Sequence, residues 1–229
     1  MIVLTFDSDW APQFVLDEIV EELRQAEIKG TFFLTSPYEF ENAPHIERAL
    51  HPNFMPNSTQ GNSVADILIR MKTWYSDAIG SRSHWLYWHS GLIEILPQHG
   101  IIYDSSIIMP FHPHLEPIKL GDLTRFAVWW SDPVHMMNGL PTDRLDIPNW
   151  NKSGLKVFNF HPIHIFLNSR SIDQYQQILR EVDLPQADYD ELYRHVNDGY
   201  GIGTLFTIIV EYIRKHQRET CFLKDLVNV

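Results

Sequence analysis

The chain has 229 residues, 44% of them hydrophobic and 13% aromatic, with 18 Lys and Arg against 29 Asp and Glu for a formal net charge of −11. That composition supports a sizeable core and argues against disorder. The acidic balance argues against nucleic acid, whose phosphates require clustered Lys and Arg.

Cys221 is the single cysteine, so no intramolecular disulfide forms. Twelve histidines make a metal site chemically accessible. No stretch approaches the ~18 apolar residues that span a bilayer. The apolar run at residues 2–6 lacks a basic start and is cut by acids, so it does not read as a signal peptide. The expectation is a cytoplasmic protein without a transmembrane segment.

Residues 2–6 predict a short buried strand. Pro12 fits a first helical turn, and Leu16, Ile19, Val20, Leu23 and Ala26 follow at helical spacing, with Gly30 as the stop. TFFLT (31–35) predicts a second strand, giving β-α-β and hence parallel strands with a crossover. Residues 36–62, rich in Pro, Asn and His, read as a long irregular excursion. Ser63 is the expected cap of a helix reaching about Asp77, and Ser90 that of a helix ended by Gly100. GIIYDSS, RFAVWW (125–130) and LKVFNFHPIH (155–164) predict strands. Residues 171–217 read as helical with a break at 198–203. No repeat or linker divides the chain, so residues 1–229 are expected to form one domain, a barrel or an open doubly wound sheet.

Polar residues recur where the apolar strands end: Asp7 and Asp9, Asp104 with Ser105, Asp132, His161 and His164. In parallel α/β folds that edge is where sites are built. Asp and His together are ligands for zinc or similar divalent ions. A spare Asp serves as general base and a spare His as general acid. The set suits hydrolysis of an amide or ester. Asp132 follows Trp129-Trp130, and aromatic faces beside a carboxylate suit a sugar. The competing reading of Asp7 and Asp9 is capping of the next helix. HPH (112–114) reads as a loop feature, and Met136-Met137 as core filler.

These segments resemble the polysaccharide deacetylases (NodB homology, carbohydrate esterase family 4). TFDSDW resembles the family's first motif, with Ser8 separating the usual adjacent Asp pair. GTFFLT resembles the strand after it, LHPNF (50–54) the metal-binding histidine motif, and SRSH (81–84) the arginine motif. YDSS (103–106) resembles a later strand, and NFHPIHIFLNS (159–169) the last motif. The wording is closest to a divergent branch associated with O-antigen and surface-polysaccharide gene clusters. The resemblance implies a distorted (β/α)7 barrel and a metal-dependent hydrolase that removes an N-acetyl group from a sugar, or from a nucleotide- or lipid-linked sugar precursor. It implies Asp7 as base, Arg82 orienting it, and His161 as acid with His164 as rival. Asp9 and His51 become metal ligands. Met55 stands where the family has its second histidine, so His84 is expected to complete an Asp9–His51–His84 site, with Asn53, His164 or water as the alternatives for that third place and zinc as the expected metal. Asp104, Trp130 and Asp132 are the expected sugar-binding residues. Alternatives are related amide or amidine chemistry by the same barrel, or a sugar-binding protein without catalysis.

Overall fold

A computed structural model describes residues 1–40 and 43–227. The chain runs β1 (Ile2–Asp7), α1 (Gln13–Ala26), β2 (Gly30–Leu34), β3 (Ile46–Leu50), α2 (Val64–Trp74), β4 (Gly80–Ser81), α3 (Leu92–Gln98), β5 (Tyr103–Asp104) and β6 (Ile118–Leu120). It continues with β7 (Leu123–Arg125), β8 (Val128–Ser131), α4 (Asp132–Met137), β9 (Lys156–Phe160), α5 (Pro162–Phe166), α6 (Ile172–Glu181), α7 (Tyr189–Tyr193) and α8 (Ile202–Lys215).

β1 and β9 are buried at every position, as expected of parallel strands covered on both faces. Phe6, Phe32, Phe160 and Phe206 pack into one aromatic layer, with Phe6 and Phe32 stacked at 4.6 Å. α1 lays Val15, Leu16, Ile19 and Leu23 onto the sheet. It ends at Ala26, earlier than Gly30 implies, because Glu27 takes the left-handed cap conformation with φ 57°. Gly30 instead opens β2, where a Cβ would lie 2.9 Å from Leu23 Cδ1. Its role is close helix–strand approach rather than a helix stop.

Further departures have local causes. The 36–62 excursion contains β3, whose charges hide its strand character: Glu47 is buried and accepts from Thr31 Oγ1 and Tyr103 OH. Ser63 caps α2 by accepting from Asp66 N, but the helix stops at Trp74. Gly91, not Ser90, precedes α3. The predicted 125–130 strand divides into β7 and β8. The predicted 155–164 strand stops at Phe160, because Pro162 opens α5 at a position where a missing N–H costs nothing. The helical stretch from 171 is three helices, with a 3-10 turn at Leu184–Gln186. Met136 packs on the core, but Met137 is exposed.

The sheet order is β6-β7-β5-β4-β3-β2-β1-β9-β8, parallel except for the β6–β7 pair. No ladder between end strands closes it. However, β7 and β8 are separated only by Phe126 and Ala127, and Phe126 N and Val128 N donate to the Asp104 and Ile107 carbonyls. The chain itself therefore links β8, at one end of the order, to β7, the strand beside the other end, within one curled α/β sheet. Among the described residues no helix is long and apolar enough to cross a membrane.

Candidate active site

Parallel strands present their C-terminal ends at one rim, and the chemically active side chains gather there. Asp7 ends β1, His51 follows β3, Arg82 follows β4, Asp132 follows β8 and His161 follows β9. Neither Asp7 nor Asp9 caps α1, whose cap is Pro12 without a side-chain bond.

Asp7 is buried and held on both oxygens. Arg82 Nη1 donates to Oδ1 at 2.8 Å, and Asn159 Nδ2 to Oδ2 at 2.9 Å. Arg82 is fully buried and is itself fixed: its guanidinium donates to Thr5 Oγ1, Asn159 Oδ1, Ser105 Oγ and the Ser105 carbonyl.

Asp9 is not aligned with Asp7 by strand alternation, as an extended pair would be. The strand ends at Asp7, and Asp9 has φ 37°. That turn aims Asp9 at three histidines. His51 Nε2 lies 3.1 Å and His84 Nδ1 2.9 Å from Oδ1, while His161 Nε2 lies 3.1 Å from Oδ2. Burial pushes the Asp9 carboxyl upward, but hydrogen bonds from His161, His51 and His84 hold it well below the usual carboxylate range.

Asp9, His51 and His84 each offer a ligand atom within 4.8 Å of the others. Around a tetrahedral ion, bonds of about 2.0–2.2 Å place ligand atoms roughly 3.3–3.6 Å apart. His51 Nδ1 is buried, has no hydrogen-bond partner among the described residues and lies 3.9 Å from Asp7 Oδ1. Two imidazole nitrogens converging on one carboxylate oxygen form a donor set that fits a divalent ion with N and O ligands. Met55 is a surface residue, 38% exposed, and lies outside the cluster. Asn53 Oδ1 accepts from Met55 N instead of facing Asp9.

His161 is oriented from behind. Its Nδ1 lies 2.7 Å from Asp132 Oδ1, and its backbone N donates to Asp132 Oδ2. Burial disfavours the charged ring, yet the carboxylates of Asp132 and Asp9 hold its pKa well above the ordinary histidine value. His164 differs. Burial pushes it down to about 4, and its Nδ1 pairs with Ser169 Oγ. The two histidines are thus shifted in opposite directions, His161 upward by its carboxylate neighbours and His164 downward by burial.

The three residues expected to touch a sugar are all buried and engaged with protein partners. Trp130 is 0% exposed, its indole N–H donating to His135 Nδ1. Asp104 is 1% exposed and taken by Arg125 and Ser106. Asp132 is 0% exposed and engaged with His161. Strand-end position alone does not say which face of the strand a side chain uses.

Two contributors escaped the sequence. Asn159 lies two residues before His161, hence on the same strand face, a spacing that could have flagged it. Gln60 is buried, donates to the Thr35 and His51 carbonyls and accepts from Asn53 N. It clasps the loop carrying His51 onto β2, and no local pattern announces it.

A cleft of about 790 Å³ opens beside Asp9 and His84, with Trp10, Trp85, Tyr175 and Leu179 along it. Its size is that of a small-molecule site.

Comparison with known proteins gives the fold and the family. A Bordetella bronchiseptica structure, assigned as a polysaccharide deacetylase involved in O-antigen biosynthesis, is 27% identical over 92% of this chain and 90% of its own, with a TM-score of 0.81. The 4-alpha-glucanotransferase of Thermococcus litoralis shares the fold at a TM-score of 0.53 and 12% identity, over 99% of this chain and 38% of its own. A Mycobacterium smegmatis structure also assigned as a polysaccharide deacetylase has 15% identity and a TM-score of 0.48, over 97% and 92%. No curated protein matched the chain. Residues 4–179 match the family described as WbmS-like polysaccharide deacetylase, and with that match the chain belongs to the WbmS-like polysaccharide deacetylases.

Proposed function

We propose that the chain acts as one catalytic domain that hydrolyses the N-acetyl or related N-acyl group of an amino sugar, on a nucleotide- or lipid-linked precursor of a surface polysaccharide. The observation that carries this reading is the convergence of His51, His84 and His161 on Asp9, beside an Asp7 held by Arg82 and Asn159.

Asp9, His51 and His84 are the residues that would hold zinc. Zinc supplies Lewis acidity there, polarising a carbonyl oxygen and easing loss of a proton from water. The rest is the work of side chains. Asp7 accepts the proton of the water that attacks the acyl carbon. Arg82 and Asn159 leave its carboxylate no freedom to turn away, which favours a single reactive orientation. The C–N bond breaks as His161 Nε2 gives its proton to the sugar nitrogen, while Asp132 stabilises the ring in its charged form. Free amine and carboxylic acid are the products.

The test is acetate release from free and nucleotide-linked N-acetylhexosamines, before and after chelation and zinc restoration. Turnover that chelator removes and zinc restores supports the reading. Absence of acetate release from every member, with zinc bound, contradicts it.

A further inference from the structure

The candidate ligands Asp9 and His84 are each followed by a tryptophan in left-handed backbone, with φ 58° at Trp10 and 59° at Trp85. Bulky residues enter that region only at a cost. Trp10 is half-buried, edge-on to His84 at 5.0 Å. Trp85 is different. It is 82% exposed, and no other large hydrophobic residue among those described is as exposed.

The turn itself does not explain the indole. Glycine would adopt that backbone more cheaply. Burial does not explain it either. One side chain therefore carries both backbone strain and an exposed aromatic face, on the wall of the cleft that reaches Asp9. The apolar C–H face of a pyranose is complementary to the negative face of an indole.

We propose that Trp85, with Trp10 as the inner wall, is the platform on which the pyranose ring of the substrate stacks. It is a specificity-determining residue for a sugar with one unhindered ring face, such as an N-acylhexosamine. The inference rests on the deacylase reading only in that the stacked sugar presents its acylamino group toward Asp7 and Asp9.

The experiment measures binding apart from turnover, by titration calorimetry on Asp7→Asn protein loaded with zinc. The probes are N-acetylglucosamine, N-acetylgalactosamine and their uridine-diphosphate derivatives. At least one is expected to bind saturably. Trp85→Ala should weaken it about tenfold, and Trp85→Tyr should restore it to within about threefold. Trp85→Gly, which relaxes the backbone, should unfold no more easily than the parent yet lose the same affinity. In otherwise native enzyme Trp85→Ala should raise KM with kcat unchanged. Stacking without acetate release would sink the deacylase reading and leave the platform standing. Equal affinity in Trp85→Gly and the parent, or no saturable binding by any probe, would overturn the platform.

Discussion

Asp132 meets His161 at two points, and in the proposed mechanism it acts through that histidine. Asp132→Asn keeps the shape but removes the charge that sustains the imidazolium. It should lower kcat by ~10²-fold or more, close to His161→Ala, and the double variant should be little worse than either single. Additive losses in that cycle would contradict a shared role. Arg82→Lys should cost about 10-fold or more in kcat with KM little changed, because one ammonium cannot bridge Asp7, Asn159, Thr5 and Ser105 together. His164 makes a prediction in pH. Its folded pKa is about 4, while the unfolded ring takes its proton near pH 6.5. Between those values only the unfolded chain binds that proton, so stability falls as pH drops through the window, by ~1.4 kcal/mol per unit at most. Urea unfolding at pH 7 and pH 5 should show a smaller difference in His164→Gln than in the parent. An equal difference would assign the slope to other groups. Asp7, Asp9 and His161 stand out in the sequence by chemical type at strand ends, and His51, Arg82 and His84 through the family resemblance; the structure brings all six to one rim. Asn159 and Gln60 do not stand out, because an amide gains its role only from the charged group it meets.

Elements were legible where their signal was strong and local. β1, β2 and β9 are apolar throughout, and Ser63 caps α2 as its type implies. β3 was not legible, because two of its residues are charged and only the fold supplies Glu47 with Thr31 and Tyr103. This matters for the site, since β3 delivers His51. The end of α1 was missed because Glu27, not a glycine, occupies the left-handed position. Glu27→Gly should therefore stabilise the protein by about 0.5–1 kcal/mol, read as a raised midpoint in thermal unfolding. A lowered midpoint would show that the Glu27 side chain offsets its backbone cost. Ser63→Ala should lower stability by ~1 kcal/mol.

The whole molecule is organised around one rim. Parallel strands deliver each reactive group at the same end, and the short β7–β8 link brings Asp132 round to meet His161. The strand and helix alternation made an α/β sheet readable. How β8 links to β7 was not readable, because the junction depends on two residues, Phe126 and Ala127, that look like more of the same strand. The rim's central claim is that Asp9, His51 and His84 hold one divalent ion. It is tested most directly by zinc titration of chelator-stripped protein, followed by elemental analysis. About one zinc per chain is expected for the parent and for Asp7→Asn, with affinity lowered at least ~10-fold in Asp9→Asn, His51→Ala and His84→Ala. Unchanged zinc affinity in His84→Ala, or no bound zinc in the parent, would contradict the assignment.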